Sequence, residues 1–355
     1  MQCEIAIVGA GPAGLSFARA LAGSGLRVVL VEQAPAASLS SPADDGREIA
    51  LTHRSQQLMR QLGLWDRLRA SEIGLLRDAL VLDGDDREGQ LFSHREAGRD
   101  NLGWLVPNHA IRRTAWEAVA GQADLTLLDG VRVAGVSTDA AGAVLSLSVT
   151  PQRAERAGDG WRVQLSDGGE ARARTVVDAA GAWADEVGAL FGARPIGLEP
   201  RRRSAFTFHA PAGVDASNWP MVADVDETWY FKPDAGQLLG SPANLDLVAP
   251  HDVQPEELDI AIGIDRLQTA TTLEIRRPSA TWAGLRSFVR DGEIVIGFDD
   301  ACPGFLWLAA QGGYGIQSAA GASALAASLI EGAPLPDELR AAGVDPAVVQ
   351  PSRLR

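Results

Sequence analysis

The sequence is poor in the residues that build disulfide frameworks and metal sites. Its 355 residues include two cysteines, Cys3 and Cys302, and five scattered histidines. There is no C-x-x-C pair and no H-x-x-x-H spacing, so no set of metal ligands is recognisable. These absences argue against metal catalysis, and two isolated cysteines fit a reducing, cytoplasmic compartment.

Positive charge and long apolar runs are also scarce. The formal net charge is −14, which argues against a nucleic-acid partner. No stretch reaches the roughly 18 apolar residues of a membrane span, and the first apolar run is too short for a signal peptide. We therefore expect no transmembrane segment, and we leave a peripheral membrane contact open. The length is sufficient for about two domains.

The beginning of the chain has a dinucleotide-binding pattern. The apolar run Ile5–Val8 predicts a buried parallel strand, a small-residue helix is predicted over 15–22, and a second strand over 27–31. Glycines lie between the first strand and the helix at G-x-G-x-x-G spacing, and Glu32 ends the second strand. Strand, turn, helix, strand and acid thus follow each other in the order of a Rossmann unit.

Each part of this pattern has a physical role. Gly9 allows a tight turn, Gly11 lets the backbone approach a pyrophosphate, and Gly14 lets the helix pack closely on the strand. The helix N-terminus favours phosphate charge, and Glu32 is placed to accept hydrogen bonds from the adenosine ribose. A position at the extreme N-terminus favours FAD over NAD. The cofactor contacts predicted here are Gly9, Gly11, Pro12, Ala13, Gly14 and Glu32.

Two later stretches fit a flavin. A buried strand predicted at 175–178 stops at small residues, which leave room for a cofactor beside Ala180 and Gly181. A glycine-rich segment at 311–317 precedes a predicted helix over 318–330, whose N-terminus would stabilise negative charge on a reduced flavin ring. The contacts predicted in this segment are Gly312, Gly313, Tyr314, Gly315, Ile316 and Gln317.

The first part of the chain resembles the flavin-dependent aromatic ring hydroxylases of the ubiquinone-biosynthesis type. The resemblance lies in DGREIALTHRSQQLMRQLGLWDRL and VPNHAIRRTAWEAVAGQADLTLLDGVRV. It implies that Arg47 lies along the flavin and pyrophosphate, and that Asn108 contacts the cofactor with Arg112 or Arg113 nearby.

From about residue 160 the chain instead resembles the D-amino-acid oxidase superfamily, and most closely its D-amino acid dehydrogenases, including the D-arginine type. The stretches concerned are VVDAAGAWADEVGAL, RPIGLEPRRRSAFTF, WYFKPDAGQLLGSPA, HDVQPEELDIAI, TWAGLRSFVRDGEIVIGFD and PGFLWLAAQGGYGIQ. The hydroxylases' Asp-Gly pair is replaced by Ala180-Gly181, and their G-D-A-A-H signature is missing. The sequence therefore reads as a mosaic of two flavoprotein types.

The second resemblance implies a substrate site. It assigns Arg286 to a substrate carboxylate, places Arg203 and Tyr230 in the same pocket, and puts Gly313 beside the reacting flavin edge. Guanidinium suits this task because it is always charged and binds carboxylates with two prongs. The neighbours Arg201 and Arg202 are interpreted as solvated. No side chain is assigned as an obligatory base, and the residues that cover the substrate are left open.

The predicted fold is α/β: a Rossmann-like FAD-binding domain of the glutathione-reductase type with a second, mostly antiparallel α+β substrate domain. The FAD-binding domain is predicted over 1–75, 107–195 and 284–355, and the substrate domain over 76–106 and 196–283. Further local predictions are substrate-domain strands at 79–82 and 104–106, a strand at 131–136 and a hairpin turn at 167–169.

These resemblances imply an FAD-dependent amino acid dehydrogenase or oxidase. A D-amino acid would lose hydride from its α-carbon to flavin N5, giving an imino acid and then an oxo acid and ammonia, with quinone or oxygen as electron acceptor. The first alternative is an NAD(P)H- and oxygen-dependent monooxygenase that hydroxylates an aromatic ring. The second is a flavin-binding protein without productive catalysis.

Overall fold

The computed structural model has a Rossmann-like part and a second part built on a larger, mostly antiparallel sheet. The predicted fold class is thereby confirmed. The structure describes residues 2–83, 89–133, 135–139, 142–146, 161–164, 170–234 and 236–355. In these ranges, no helix is both long enough and apolar enough to cross a membrane.

The first sheet has six strands in the order β20-β21-β13-β1-β2-β8, and only β20 runs antiparallel to its neighbour. The strands are β1 (Ile5–Val8), β2 (Val28–Val31), β8 (Leu125–Leu128), β13 (Thr175–Asp178), β20 (Val295–Phe298) and β21 (Phe305–Ala309). Side chains alternate between two buried cores, with Ile7 and Leu30 on one face and Ala6 and Val29 on the other. Burial on both faces explains why these strands are continuous apolar runs.

Helices cover the faces of this sheet, and helices α1 and α7 pack against each other. The helices are α1 (Pro12–Ala20), α2 (Ala36–Ser40), α3 (His53–Gln61), α4 (Asn108–Val119), α5 (Ala184–Leu190), α6 (Glu257–Ala270), α7 (Gly315–Glu331) and α8 (Asp337–Ala341). Short 3₁₀ helices occupy Trp65–Arg67, Ala70–Glu72, Gly181–Trp183, Pro346–Val349 and Pro351–Leu354.

The larger sheet follows the order β18-β14-β17-β16-β15-β5-β6, and β19 pairs with β14 outside this path. The strands are β5 (Asp78–Leu82), β6 (Gln90–Ser93), β14 (Glu199–Phe208), β15 (Met221–Asp224), β16 (Tyr230–Asp234), β17 (Gln237–Ser241), β18 (Asp246–Leu247) and β19 (Ala280–Phe288). Helix α6 packs on this sheet around Phe206, Leu238 and Leu267. In the long β14–β19 pair, Arg201 lies opposite Arg286 and Arg203 opposite Gly284.

A third sheet has the order β3-β7-β4, with β3 (Glu48–Leu51), β7 (Gly103–Pro107) and β4 (Gly74–Leu76). The run 104–106, predicted as a strand of the second domain, belongs to this sheet because β7 pairs with β3 on one side and β4 on the other. The run 79–82 lies in the larger sheet, where β5 pairs with β15.

The remaining strands are β9 (Gly135–Asp139), β10 (Gly142–Ser146), β11 (Trp161–Gln164) and β12 (Glu170–Ala173), which pair among themselves. The strand predicted at 131–136 begins only at Gly135, since 131–133 form no regular element and the Val131 N–H donates to the Glu32 carbonyl. Residue 134 and the predicted turn at 167–169 lie outside the described residues.

Candidate active site

The glycine-rich turn is shaped by close backbone contacts. Gly9 has φ +104°, and a Cβ there would lie 2.5 Å from the Ala179 carbonyl oxygen. A Cβ on Gly14 would lie 1.9 Å from the Gly9 carbonyl oxygen, so only glycine lets α1 approach the turn. Gly11 differs, because no atom lies within 4 Å of its Cβ position, which opens onto a cavity. The turn therefore leaves free space where the sequence predicts a pyrophosphate.

Glu32 secures the same turn from the end of β2. Its carboxylate accepts hydrogen bonds from the Ala10 N–H at 2.7 Å and the Ala34 N–H at 2.8 Å. A carboxylate has about four acceptor positions, so two bonds leave capacity for a ribose hydroxyl. The ribose contact itself stays a prediction.

A cavity of about 710 Å³ lies between the Rossmann-like sheet and the larger sheet. The N-terminal ends of helices α1 and α7 both border it, so two positive dipole ends face one space. The predicted cofactor residues that line it are Gly11, Pro12, Ala13, Arg47, Gly181, Gly312, Gly313, Tyr314, Gly315, Ile316 and Gln317.

Six predicted cofactor residues are not among the described residues that line this cavity. They are Gly9, Gly14, Glu32, Asn108, Arg112 and Ala180. Gly9 and Gly14 permit the close backbone contacts of the turn without lining the cavity. Ala180 lies in the sequence between the lining residues Ala179 and Gly181. A turn, a small-residue strand end and two helix N-termini around one space fit a dinucleotide with a flavin ring.

Arg47 lines the cavity and is held by an acid that the sequence analysis did not single out. Its Nε donates to Asp45 at 2.9 Å, and the Asn108 amide donates to the same carboxylate at 2.6 Å. Burial disfavours the charge of Asp45, but the hydrogen bonds from Arg47 and Asn108 outweigh it and lower the Asp45 pKa. Asn108 therefore supports Arg47 through Asp45. The sequence signal for this arrangement was Asp45, two residues before Arg47.

Arg113, the other arginine of helix α4 that was predicted near the cofactor, forms ion pairs with two glutamates. Arg113 pairs with Glu72 at 2.7 Å and with Glu117 at 2.9 Å. The pair with Glu72 ties α4 to the 3₁₀ turn Ala70–Glu72, whereas Glu117 belongs to α4 itself. The cofactor contact predicted for Arg112 stays a prediction.

Arg203, Tyr230, Arg286 and Gly313, the predicted catalytic residues, all line the cavity. A Cβ on Gly313 would lie 2.9 Å from Nη1 of Arg286, so the guanidinium rests on the backbone before α7. Burial first, and then repulsion from Arg286, lower the Arg203 pKa, while Tyr230 acts against them. Within the described part of the chain, neither arginine has a carboxylate within 4.0 Å. Two neighbouring guanidinium groups thus face the cavity with no described carboxylate at ion-pair distance, and Glu227, which also lines the cavity, attracts Arg203 from farther away.

The interpretation of Arg202 as a solvated residue is wrong. Its side chain is buried and forms ion pairs with Asp246 at 3.5 Å, with Asp259 at 3.0 Å and with Glu256. Side chains alternate along β14, so Arg202 points towards α6 while Arg203 lines the cavity. Arg201 is half-buried and bonds to Glu199.

A buried charged cluster in the cavity wall escaped the sequence analysis. The Lys232 ammonium lies 2.8 Å from Glu48 and 2.7 Å from Asp234. Burial raises the pKa of Asp234 to about 6, against the attraction of Lys232. Lys232 belongs to β16 and Glu48 to β3, so the cluster joins two sheets at the cavity. Its only sequence signal was a lysine within a strand-like run.

The fold and the cavity define a dinucleotide-binding protein with a second, ligand-accepting lobe. A family model described as "FAD dependent oxidoreductase" (DAO) matches residues 4–329. The chain belongs to this family: it is an FAD-dependent oxidoreductase, and FAD is its cofactor.

Solved structures of amino-acid-oxidising flavoenzymes have the same fold. Glycine oxidase from Geobacillus kaustophilus superposes with a TM-score of 0.65 at 20% identity, covering 94% of this chain and 95% of that one. L-amino acid deaminase from Proteus vulgaris has a TM-score of 0.66 at 14% identity, covering 99% and 97%. L-proline dehydrogenase from P. horikoshii has a TM-score of 0.65 at 18% identity, with the same coverage.

The curated relatives are hydroxylases. The chain is 46% identical over 142 residues to ubiquinone hydroxylase UbiM of Neisseria meningitidis, covering 39% of this chain and 31% of that protein. It is 30% identical over 178 residues to ubiquinone hydroxylase UbiL of Rhodospirillum rubrum, covering 50% and 37%. The chain thus spans about a third of the length of these relatives. Both resemblances predicted from the sequence are confirmed.

Proposed function

We propose that the chain oxidises the α-carbon of an amino acid, with D-amino acids as the substrates to test first. The observation that supports this most is the pair Arg203 and Arg286, two guanidinium groups in one cavity that form no ion pair with any described carboxylate. Such a pair is costly unless a ligand brings negative charge, and a carboxylate matches the guanidinium fork. Tyr230 adds a hydroxyl beside Arg203.

The residues of the chain then have distinct roles. Arg286 and Arg203 hold the substrate carboxylate, and the placement of Arg286 on Gly313 brings that carboxylate next to the N-terminus of α7. FAD, when bound, would supply the hydride acceptor and the route for electrons to a quinone or oxygen. The cofactor would be held by Gly11 and Arg47 and by the segment 312–317.

Proton transfer is the second requirement, because an α-ammonium must lose a proton before hydride leaves. We assign this proton to water in the cavity and no side chain to an obligatory base. Apolar residues, including Leu105, Met221 and Trp229, line the cavity and would limit the access of water once substrate is bound. In this proposal, orientation and charge stabilisation provide most of the rate.

A monooxygenase that uses NAD(P)H and oxygen on an aromatic ring is the second candidate function. It is favoured by the 46% identity to a ubiquinone hydroxylase over 142 residues. Against it stand Arg203 and Arg286, since an aromatic ring offers no carboxylate to match the two guanidinium forks. The absent Asp-Gly and G-D-A-A-H signatures also oppose it.

Anaerobic stopped-flow mixing distinguishes the candidates. The purified, FAD-loaded protein is mixed with a panel of D-amino acids, with the matching L-amino acids, and with NADH and NADPH, while the visible flavin absorbance is followed. Bleaching by D-amino acids supports the proposal, and bleaching by L-amino acids alone would keep the reaction but reverse the stereochemistry. Bleaching by NADPH and by no amino acid would replace the proposal with the monooxygenase. Absence of bleaching by every reductant would indicate a flavin-binding protein without this catalysis.

A further inference from the structure

Arg203 is anchored by a residue of a neighbouring loop. Its Nε donates to the main-chain oxygen of Asn244 at 2.9 Å. Asn244 follows Ala243, a cavity-lining residue with φ +51°, which is uncommon for a residue with a side chain. The loop therefore keeps an unfavourable backbone conformation at the point where it meets the arginine. The direction of the Asn244 carbonyl decides where the guanidinium of Arg203 lies.

The side chain of Asn244 fixes that carbonyl, because all of its polar groups are used. Its Oδ1 accepts the Ser204 N–H at 2.8 Å. Its Nδ2 donates to Asp246 at 2.7 Å and to Asp259 at 3.0 Å. One acceptor and two donors bind the loop to β14, to β18 and to helix α6. Only an amide provides this combination on a short side chain.

The partners of Asn244 are themselves held in place. Arg202 Nε and Ser204 Oγ both donate to Oδ2 of Asp259, each at 3.0 Å. Ser204 is fully buried and Arg202 is 8% exposed, so the part of the network around Asp259 is shielded from water, whereas Asp246 is exposed. It lies on the α6 side of β14, and Arg203 lies on the cavity side of the same strand. The buried network is therefore connected to the candidate substrate site through Asn244.

We propose that Asn244 is a positioning residue for the substrate carboxylate, acting through Arg203, and that Asp259 and Arg202 orient its amide. This inference rests on the proposed function, because it takes Arg203 as a carboxylate ligand. Asn244 itself needs no contact with substrate. Its effect should therefore disappear when Arg203 is absent, whereas a general structural role would persist.

A double-mutant cycle tests this with benzoate, a carboxylate that has no α-hydrogen to give. The dissociation constant of benzoate is measured from the change in the visible flavin spectrum of the FAD-loaded protein, for wild type, Asn244→Ala, Arg203→Ala and the double variant. Asn244→Ala keeps the main-chain oxygen that accepts from Arg203 but loses the side-chain bonds that direct it, and it should weaken benzoate binding by about five- to tenfold, the scale of one hydrogen bond. The double variant should bind benzoate as Arg203→Ala does, within about twofold.

Two further variants make the result decisive. Asn244→Asp keeps the shape and the bond to Ser204 but turns an oxygen towards Asp246 and Asp259, so it should also weaken benzoate binding while retaining FAD. It replaces Asn244→Ala in the cycle if that variant fails to fold. The matched control Asn218→Ala removes an exposed asparagine that bonds to Arg77, and it should bind benzoate normally.

Independent effects of the two substitutions, or normal benzoate binding in Asn244→Ala and Asn244→Asp, would overturn the inference. These results would leave the proposed function intact if Arg203→Ala alone weakens benzoate binding. Normal benzoate binding in Arg203→Ala would instead remove Arg203 from the carboxylate site, and both this inference and that part of the proposed function would fail.

Discussion

Replacing Arg286 with alanine is the most direct test of the proposed substrate site. The side chain has no carboxylate partner among the described residues, so its removal breaks no ion pair with any of them. Any large effect must therefore come from a ligand. FAD content should stay close to that of wild type, because the residue is proposed to contact the substrate.

The magnitude follows from the surroundings of the guanidinium. A charge-assisted contact in a partly desolvated site contributes roughly 2–5 kcal/mol. Arg203 remains in the variant, and the loss of Arg286 relieves the repulsion that lowers the Arg203 pKa, so the middle of that range applies. About 3–4 kcal/mol corresponds to a fall in kcat/KM of two to three orders of magnitude. Arg286→Lys should recover only part of the loss, since ammonium keeps the charge without the fork.

The assay is steady-state oxidation of the best D-amino acid, with FAD content measured on the same preparations. Arg201→Ala is the matched control, because Arg201 lies opposite Arg286 in the β14–β19 pair and bonds to Glu199 instead of lining the cavity. Its kcat/KM should change by less than about threefold. An Arg286→Ala enzyme with normal kcat/KM would refute the assignment of this arginine to the substrate carboxylate.

Three other predictions concern cofactor binding and stability. Gly11→Leu should fold, because no atom lies within 4 Å of the added Cβ, yet it should purify without FAD; circular dichroism and flavin absorbance measure both, and normal FAD content would contradict the pyrophosphate assignment. Arg202→Ala should lower stability by about 3 kcal/mol in denaturant titration, since it leaves the largely buried Asp259 without its cation while Glu256 and Asp246 are exposed to water, and a change below about 1 kcal/mol would contradict this. Asp178 is fully buried and burial raises its pKa well above the usual value, so its contribution to stability is complete below about pH 4 and falls as pH rises. The side chain in Asp178→Asn cannot ionise, so the Tm of the variant minus the Tm of wild type should increase as pH rises from about 4 to 8. A Tm difference that does not change with pH would show that burial does not govern this carboxyl.

Local patterns predicted the Rossmann unit well, because its determinants lie within about 30 residues. Gly9 needs a positive φ and Gly14 needs the absence of a Cβ, and both requirements are visible as glycine spacing. The grouping of Arg203 with Arg286 came from family resemblance and not from a local rule. A run of three arginines does not by itself show which side chain faces a cavity.

The errors arose where distant residues decide the outcome. Arg202 was interpreted as solvated because the acids that neutralise it, Glu256 and Asp259, lie more than 50 residues further along the chain. The pairing of the run 104–106 with β3 and β4 could not be predicted either, because strand propensity does not reveal which strands will pair. Asp234 lies two residues from Lys232, but the second partner, Glu48, is 184 residues away and could not be predicted from the local sequence.

The Lys232–Glu48 contact limits how the two parts of this mosaic chain can be recombined. Glu48 comes from the hydroxylase-like part and Lys232 from the dehydrogenase-like part, and the bond between them crosses the cavity wall. A chimera that exchanged the first 150 residues for a homologous segment without an acid at position 48 would leave a buried ammonium with Asp234 as its sole described carboxylate partner. Recombination between a hydroxylase-like and a dehydrogenase-like parent should therefore preserve the cavity wall only when positions 48 and 232 are inherited together. This holds wherever else in the chain the crossover is placed.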